Sequence, residues 1–175
     1  MQEPFEAHHP QIDPAAFVHA AAVIIGEVSI GPESSVWPTA TLRGDDGPIR
    51  IGAKTSIQDG TVIHNTEGVS VTTVGDRVTV GHRVILHGCT VEDDCIIGMG
   101  SVILDNAVIE RGSIVGAGAV VPPGKRVAAG SVVVGNPMKL LRPCTERDTE
   151  FIGYSWREYV KRVAQYKARD EADRV

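Results

Sequence analysis

An apolar residue recurs every six positions along most of the chain, and this period constrains the fold more than any other feature of the sequence. The recurrence starts at Val18 and runs to Val133 with two interruptions and one dropped residue. A period of six fits neither an α-helix nor an isolated strand. It is typical of a parallel β-helix, in which each repeat supplies one short strand and one corner.

Two sets of positions are predicted to face the interior of this β-helix. The large inward residues are Val18, Ile24, Ile30, Val36, Leu42, Ile51, Ile57, Ile63, Val74, Val80, Leu86, Val91, Ile97, Ile103, Ile109, Val115, Val121, Val127 and Val133. The small or β-branched residues four places later are Ala22, Val28, Ser34, Ala40, Thr55, Thr61, Val78, Val84, Ala107, Ser113, Ala119 and Ser131. Three repeats make one triangular coil, so we expect about six coils whose strands pair in parallel.

The register is interrupted by R-G-D-D-G-P-I-R after Leu42 and by N-T-E-G-V-S-V-T-T after His64, and both segments are predicted as excursions from the coil. Residues 1–17 contain three prolines and are predicted as an irregular lead-in, with the β-helix over 18–137. Residues 138–175 are predicted as a linker and a C-terminal α-helix.

The C-terminal segment shows the pattern of an amphipathic helix. Thr145 and Asp148 have the spacing of a capping box at its start. We expect the helix to pack along the prism or along a neighbouring one. Its apolar residues recur at alternating spacings of four and three, at Ile152, Trp156, Tyr159, Val163 and Tyr166.

Composition excludes several classes of protein. The net charge of −5 does not indicate a nucleic-acid partner or an acidic-membrane partner. The apolar runs are too short to span a bilayer, and the N-terminus lacks the features of a signal peptide, so we expect a cytoplasmic protein. Cys89, Cys95 and Cys144 form no C-x-x-C pair, so no redox role is predicted, and Cys95 is expected to be a buried small residue.

Three of the six histidines fall on particular positions of the repeat. His64 follows Ile63 and His87 follows Leu86, so both are predicted to point outward from the second face in adjacent coils, ~4.8 Å apart at the backbone. Arg43 follows Leu42 and extends the same ladder. Two imidazoles at this separation can share a metal ion with bonds of ~2.0–2.1 Å.

His82 is predicted to lie near the corner between the first and second faces, with Asp59 stacked beneath it and Gln58 beside that residue. From this corner it cannot easily join His64 and His87 of the same chain, but it could join those of a neighbour. A three-sided prism that packs face to corner closes as a C3 homotrimer with three interfacial sites. Three histidine ligands with one open position are the catalytic pattern of Zn²⁺.

Each histidine also has a simpler interpretation. A histidine on a β-helix face is more often a polar surface residue or a hydrogen-bonding residue at an interface, and this is favoured for each of the three taken alone. Their joint occurrence with Arg43, Asp45, Gln58 and Asp59 favours metal binding. The other histidines, His8, His9 and His19, lie outside the cluster and are expected to be ordinary surface residues.

Three segments resemble the γ-class carbonic anhydrases: W-P-T-A-T-L-R-G-D-D-G-P-I-R-I-G, S-I-Q-D-G-T-V-I-H and V-G-H-R-V-I-L-H-G-C. The resemblance extends from about Val18 through the tail. It implies an all-β left-handed parallel β-helix with a C-terminal α-helix, assembled as a homotrimer. It also implies reversible hydration of CO₂ to bicarbonate by metal-bound hydroxide at the subunit interfaces. The implied metal is Zn²⁺, with Fe²⁺ or Co²⁺ as alternatives, held by His64 and His87 of one subunit and His82 of the next.

The same resemblance implies further residue roles. Arg43 and Asp45 would form an ion pair across the interface, and Gln58 and Asp59 would orient the hydroxide. Tyr154 matches a tyrosine common in relatives with a short loop, and it is expected to reach the site.

Two departures from the family pattern concern acidic residues. Asp46 stands where some members carry a glutamate. Archetypal members carry a long acidic loop whose glutamate shuttles protons, whereas the loop after His64 has Glu67 as its sole acid. We expect this difference to affect the catalytic rate and not metal binding.

Two other functions fit the pattern. A hexapeptide-repeat acyltransferase using acyl-CoA is suggested by the β-helix and by the G-N-P-M-K-L-L-R segment. Such enzymes use a histidine base without a metal, and the clustered histidines with Gln58 and Asp59 argue against this interpretation. The short loop also fits a metal-binding scaffold with little activity. The fold alone cannot choose among these functions.

Overall fold

The computed structural model describes residues 1–172 of the chain, and within them twenty short strands wind into a parallel β-solenoid that leads into one helix, α1 (Glu146–Ala172). The strands are β1 (Gln2–Glu3), β2 (Gln11–Ile12), β3 (Phe17–Val18), β4 (Val23–Ile30), β5 (Ser35–Val36), β6 (Thr41–Ile51), β7 (Ser56–Ile57), β8 (Val62–His64), β9 (Thr72–Val74), β10 (Thr79–Val80), β11 (Ile85–His87), β12 (Thr90–Val91), β13 (Ile96–Ile97), β14 (Val102–Ile103), β15 (Val108–Ile109), β16 (Ile114–Val115), β17 (Val120–Val121), β18 (Arg126–Val127), β19 (Ser131–Val134) and β20 (Lys139–Pro143).

The strands form the three faces of a prism. The first face is the sheet β3-β5-β7-β10-β13-β16-β19-β20, in which only the last pairing, β19 with β20, is antiparallel. The second and third faces belong to one sheet, because β4 and β6 run through the corner between them. The second face continues through β8, β11, β14 and β17, and the third through β9, β12, β15 and β18. Seven parallel strands on the first face correspond to about seven turns, one more than the sequence suggested.

The additional turn comes from the N-terminal segment. Residues 1–17, expected to be irregular, supply β1 and β2, which pair with β4, and the first residue of β3, which pairs with β5. The first coil of a solenoid exposes unpaired backbone groups along its edge. The short N-terminal strands cover part of that edge.

The first predicted excursion is in fact part of a strand. The segment R-G-D-D-G-P-I-R lies inside β6, and its Ile49 is fully buried. The chain can pass the corner while paired because Gly26 and Gly44 let two backbones approach closely. A Cβ atom on Gly26 would lie 2.5 Å from the Gly44 carbonyl oxygen. The polar side chains of this segment are therefore held by a sheet and not by a loop.

The predicted interior positions are confirmed. Every large inward residue from Ile24 to Val133 is at most 4% exposed, and only Val18 is partly buried. Burying one such side chain contributes about 1.5–3 kcal/mol. The small positions are buried as well, and Thr55 and Thr61 are tolerated there because their hydroxyls donate to the carbonyls of Gly75 and Gly81 in the next coil, at 2.7 and 2.9 Å.

Helix α1 begins at the predicted capping box. The Thr145 amide donates to Asp148 Oδ2 at 2.7 Å, and the Asp148 amide donates to Thr145 Oγ1 at 3.3 Å. The helix lies on the first face of its own prism, where Phe17 and Trp37 pack against a helical cluster of Tyr159, Val163 and Tyr166. Among the described residues, no helix has both the length and the apolar character needed to cross a membrane.

Candidate metal centre

The second face places two of the predicted ligands side by side. Strands β8 and β11 pair with His64 opposite His87, and the ring centroids are 5.4 Å apart. Parallel strands in register hold equivalent residues of adjacent coils at one strand spacing, so the six-residue period creates this pair directly. The His64 side chain is 13% exposed and that of His87 is 30% exposed, which leaves both rings accessible from one side.

Charged residues of β6 surround His64. Arg43 Nη1 donates to Asp45 Oδ2 at 2.5 Å, and Arg43 Nη2 lies 3.3 Å from His64 Nδ1. His64 Nε2 lies 3.1 Å from Asp45 Oδ1 and 3.1 Å from Asp46 Oδ2. The Arg43–Asp45 pair, expected across an interface, thus forms within a single chain, because the two residues point the same way from one strand.

The charge state of Asp45 follows from these contacts. Partial burial acts to raise the pKa of Asp45, but hydrogen bonds from Arg43, from its own backbone and from His64, with the positive charge of Arg43, hold that pKa below its ordinary value. The carboxylate is therefore ionised at neutral pH, and it can accept from both the guanidinium and the imidazole.

Asp45, Asp46 and His64 also form a group with metal-ligand spacing, since each offers one atom within 4.8 Å of the others. This group differs from the predicted set His64, His82 and His87. The guanidinium of Arg43 adjoins both Asp45 and His64, and its positive charge disfavours a cation at this point. The two carboxylates are also accounted for by their contacts with His64 without any ion.

His87 has a carboxylate partner that sequence reasoning missed. Asp105 Oδ1 lies 3.1 Å from His87 Nδ1. Asp105 comes two residues after the inward Ile103, as Gly88 comes two after Leu86, so the register places it one coil beyond Gly88. That register was available from the sequence, but the contact with His87 depends on side-chain geometry.

His82 lies in the turn after β10, at the corner between the first and second faces, as predicted. Its Nδ1 lies 3.0 Å from Asp59 Oδ2, the residue expected beneath it, and both side chains are about half exposed. Gln58, beside Asp59, is 5% exposed. Tyr154 of α1 lines the same groove as Gln58, Asp59 and His82, a space of about 700 Å³ between the helix and the first face.

The width of the second face separates His82 and its neighbours from His64 and His87. His82 precedes the face and His87 ends it, and the three residue steps from Val84 to His87 alone span roughly 10 Å in a strand. A single chain therefore carries two half-sites. The first half-site comprises Arg43, Asp45, Asp46, His64, His87 and Asp105. The second comprises Gln58, Asp59, His82 and Tyr154.

Glu67 belongs to neither half-site directly. It is exposed on the loop between β8 and β9, which leaves the second face immediately after His64. Its position on the side of the first half-site follows from the chain path alone.

The donor set fits a divalent transition metal. In His82 and His87, Nδ1 faces a carboxylate, so in the neutral imidazole Nδ1 carries the proton and Nε2 keeps a free lone pair. Histidines that bind metals commonly pair in this way with a carboxylate. Imidazole nitrogens suit zinc and iron better than calcium or magnesium, which prefer oxygen ligands. His64 differs, because its Nε2 must leave the two carboxylates before it can bind an ion.

Known proteins resemble this chain over most of its length. A family model described as Bacterial transferase hexapeptide (six repeats) matches residues 71–105 and 88–123. Gamma carbonic anhydrase 2, mitochondrial, of Arabidopsis thaliana is 42% identical over 168 residues, which cover 93% of this chain and 60% of that protein. Carbonic anhydrase of Geobacillus kaustophilus is 42% identical over 165 residues, which cover 94% and 90%.

A solved structure shares the fold of this chain, but its name suggests a different activity. A Bacillus cereus protein named provisionally as an acetyltransferase has a TM-score of 0.93 and 36% identity, covering 95% of this chain and 96% of that chain. The chain thus spans about 60% of the plant relative and nearly all of the bacterial proteins.

Proposed function

Because the chain belongs to the γ-class carbonic anhydrase family, we propose that it catalyses the reversible hydration of CO₂ to bicarbonate, with a divalent metal held between the subunits of a homotrimer. The observation that carries the proposal is the division of the site into two half-sites at opposite edges of one face. His64 and His87 offer two nitrogens at one edge, and His82 offers a third at the other. Threefold packing of prisms brings unlike edges together and makes three equivalent sites.

An apolar column on the second face supports a subunit interface there. Val62, Ile85, Val102 and Val120 occupy equivalent outward positions in four successive coils. Val62 and Ile85 are 42% and 40% exposed in the single chain, next to the metal half-site. A contiguous apolar surface of this kind is typical of a protein contact. A neighbouring prism seated on this column would carry its own His82 towards His64 and His87.

The proposed ligands are His64 and His87 of one subunit and His82 of the next, and the proposed ion is Zn²⁺, with Fe²⁺ or Co²⁺ as alternatives. When bound by these three histidines, such an ion would lower the pKa of water to about 7, a value taken from the carbonic anhydrases themselves, and would make a nucleophilic oxygen available at neutral pH.

The residues around the ion have separate proposed roles. Gln58 and Asp59 would orient the attacking oxygen by hydrogen bonds from the His82 side. Arg43 and Asp45 hold the geometry of β6 beside His64. Asp46, which contacts His64 in the free chain, and Glu67, on the exposed loop, are the proposed acceptors of the proton that the reaction releases. Tyr154 closes the groove from the helix side.

An acyltransferase that uses acyl-CoA is the second candidate, and the acetyltransferase name of the Bacillus cereus structure favours it. In that case one histidine would act as a base without a metal. The pairing of both His82 and His87 with carboxylates through Nδ1 is compatible with either role. Metal dependence therefore separates the two candidates, and a scaffold with little activity differs from the first by its rate.

A cytoplasmic location remains a prediction from the sequence.

The test is a stopped-flow assay of CO₂ hydration on the assembled protein, loaded with zinc or, without oxygen, with iron(II). We expect about one ion per chain and a rate above the uncatalysed reaction that is lost in His82→Ala. His19→Ala, a histidine outside both half-sites, is the matched control and should keep the activity. A metal-free protein that transfers acetyl groups would replace this proposal by the second. Metal-loaded protein at the uncatalysed rate would leave only the scaffold.

A further inference from the structure

Asp105 is the centre of a hydrogen-bond cluster behind His87. It follows β14 at the corner between the second and third faces, one coil beyond His87. Its Oδ1 accepts from His87 Nδ1 at 3.1 Å, from Ser70 Oγ at 2.5 Å and from Thr66 Oγ1 at 3.2 Å. One carboxylate oxygen thus joins a histidine on the sheet to two hydroxyls of the loop between β8 and β9.

This cluster fixes the state of the imidazole. A carboxylate can only accept at this position, so His87 Nδ1 donates to it, and in the neutral imidazole Nε2 then presents its lone pair. Three donors thus converge on the Asp105 carboxylate, which serves as the acceptor for the imidazole.

The loop is built to hold that carboxylate. Ser70 Oγ accepts from the Thr66 amide at 3.2 Å, and the Ser70 amide donates to the Thr66 carbonyl at 3.1 Å. These bonds close the loop on itself and aim both hydroxyls at Asp105. Gly88, next to His87, packs against the same group, since a Cβ there would lie 1.9 Å from Ser70 Oγ and 2.3 Å from Asp105 Oδ1. A side chain at position 88 would therefore collide with the cluster.

We propose that Asp105 is a positioning residue for His87, and that the short loop after His64, through Thr66 and Ser70, serves to hold this carboxylate against the imidazole. The inference rests on the proposed function, because it takes His87 as a metal ligand. It gives the loop a role that does not depend on the acidic character of Glu67.

The experiment measures the zinc dissociation constant of the full-length assembled protein by competition with a chromogenic chelator. Asp105→Asn should weaken zinc binding about 10–100-fold, the range seen when a carboxylate partner of a metal-binding histidine is removed. Ser70→Ala should act in the same direction with a smaller effect. The matched control is Asp93→Asn, because the Asp93 side chain is 28% exposed, close to the 26% of Asp105, but its partners are the Asp76 amide at 3.0 Å and Arg111 at 2.9 Å. It should leave the dissociation constant unchanged.

A second measurement separates positioning from a general structural effect. In a His87→Ala background, whose weaker residual binding is titrated at higher zinc concentrations, Asp105→Asn should change zinc affinity by less than about twofold, because the two residues act through one ligand and their effects are not additive. Light scattering checks that each variant assembles like the wild type. An equal loss of affinity in both backgrounds would overturn the inference.

The outcome also distinguishes this inference from the proposed function. Wild-type protein that takes up no metal would remove both. Wild-type protein whose metal uptake requires His87, but whose affinity stays within about twofold on Asp105→Asn, would remove the inference alone, since the expected loss is at least tenfold.

Discussion

Gly88 is the residue with the least freedom in the candidate site. Its φ of +59° lies in the left-handed region, where a side chain costs about 1–2 kcal/mol. Its amide donates to the His64 carbonyl at 2.9 Å and to Thr72 Oγ1 at 3.0 Å, so it ties the coil of His87 to that of His64. A single glycine thus couples the conformation of the backbone to the spacing of two proposed ligands.

Gly88→Ala should lower both stability and metal affinity, because the new methyl group would displace Ser70 and Asp105. The matched control is Gly124→Ala, where φ is +66° and nothing lies within 4 Å of the added atom. We expect the control to lose about 1 kcal/mol from strain alone, with normal zinc binding. Thermal unfolding and chelator competition check the two effects, and equal behaviour of the two variants would contradict the account.

At the scale of the element, helix α1 depends on charges at its start. Arg142 Nη2 donates to Asp148 Oδ1 at 3.1 Å, and Arg142 Nη1 contacts Asp148 Oδ2 at 2.5 Å. The hydrogen bonds from Arg142, followed by those from Thr145, hold the pKa of Asp148 well below its ordinary value of 3.8. A carboxylate in the first turn also interacts favourably with the helix dipole.

Asp148→Asn should therefore destabilise the helix at neutral pH. A lowered pKa contributes stability that is fully present above the unfolded value, near 3.8, and is lost as pH falls towards the folded value. The difference in melting temperature between wild type and variant should be constant from pH 7 to 5 and shrink below pH 4. Glu150→Gln, an exposed acid within the first turns, is the control and should show a smaller difference. A difference that grows on acidification would refute this account of the cap.

An element can be predicted from the sequence when the interactions that form it repeat along the chain, and not when they join distant residues. The inward residues from Ile24 to Val133 were predictable because each repeat buries the same positions. The strand over R-G-D-D-G-P-I-R was not predictable, because it arises from the close contact of Gly26 with Gly44, and these residues are 18 positions apart. The N-terminal strands were missed for a similar reason, since they form only where β4 and β5 offer an edge.

In the candidate site too, contacts set by the repeat were predictable and contacts between distant side chains were not. The pairing of His64 with His87 and the placing of Asp59 under His82 follow from the register, so the sequence predicts both. The cluster of Asp105 with Ser70 and Thr66 was not predicted, because it joins residues 35 and 39 positions apart through side-chain hydroxyls. A repeat fixes backbone neighbours, whereas the direction of a hydroxyl depends on the finished loop.

At the scale of the whole molecule, the apolar column of the second face should control assembly and, through it, metal binding. Ile85→Lys places a charge in the middle of that column, and a charge buried without a partner at an interface is strongly unfavourable. We expect light scattering to show monomers and metal analysis to show loss of the ion, while circular dichroism keeps the solenoid signal. Leu140→Lys, at a 65% exposed position on β20, is the control and should remain trimeric. A trimeric Ile85→Lys protein with full metal content would place the interface elsewhere.

The central claim is that each metal is shared between two subunits, and mixed trimers test it most directly. A chain with His82→Ala keeps His64 and His87, and a chain with His87→Ala keeps His82. At a zinc concentration that fills the wild type, each variant alone should retain almost no metal. Trimers that contain both chains, purified through two different tags, should bind about one ion each under the same conditions, because cyclic symmetry gives one intact interface in either composition. Mixed trimers without metal, or His82→Ala trimers with a full complement, would contradict the claim.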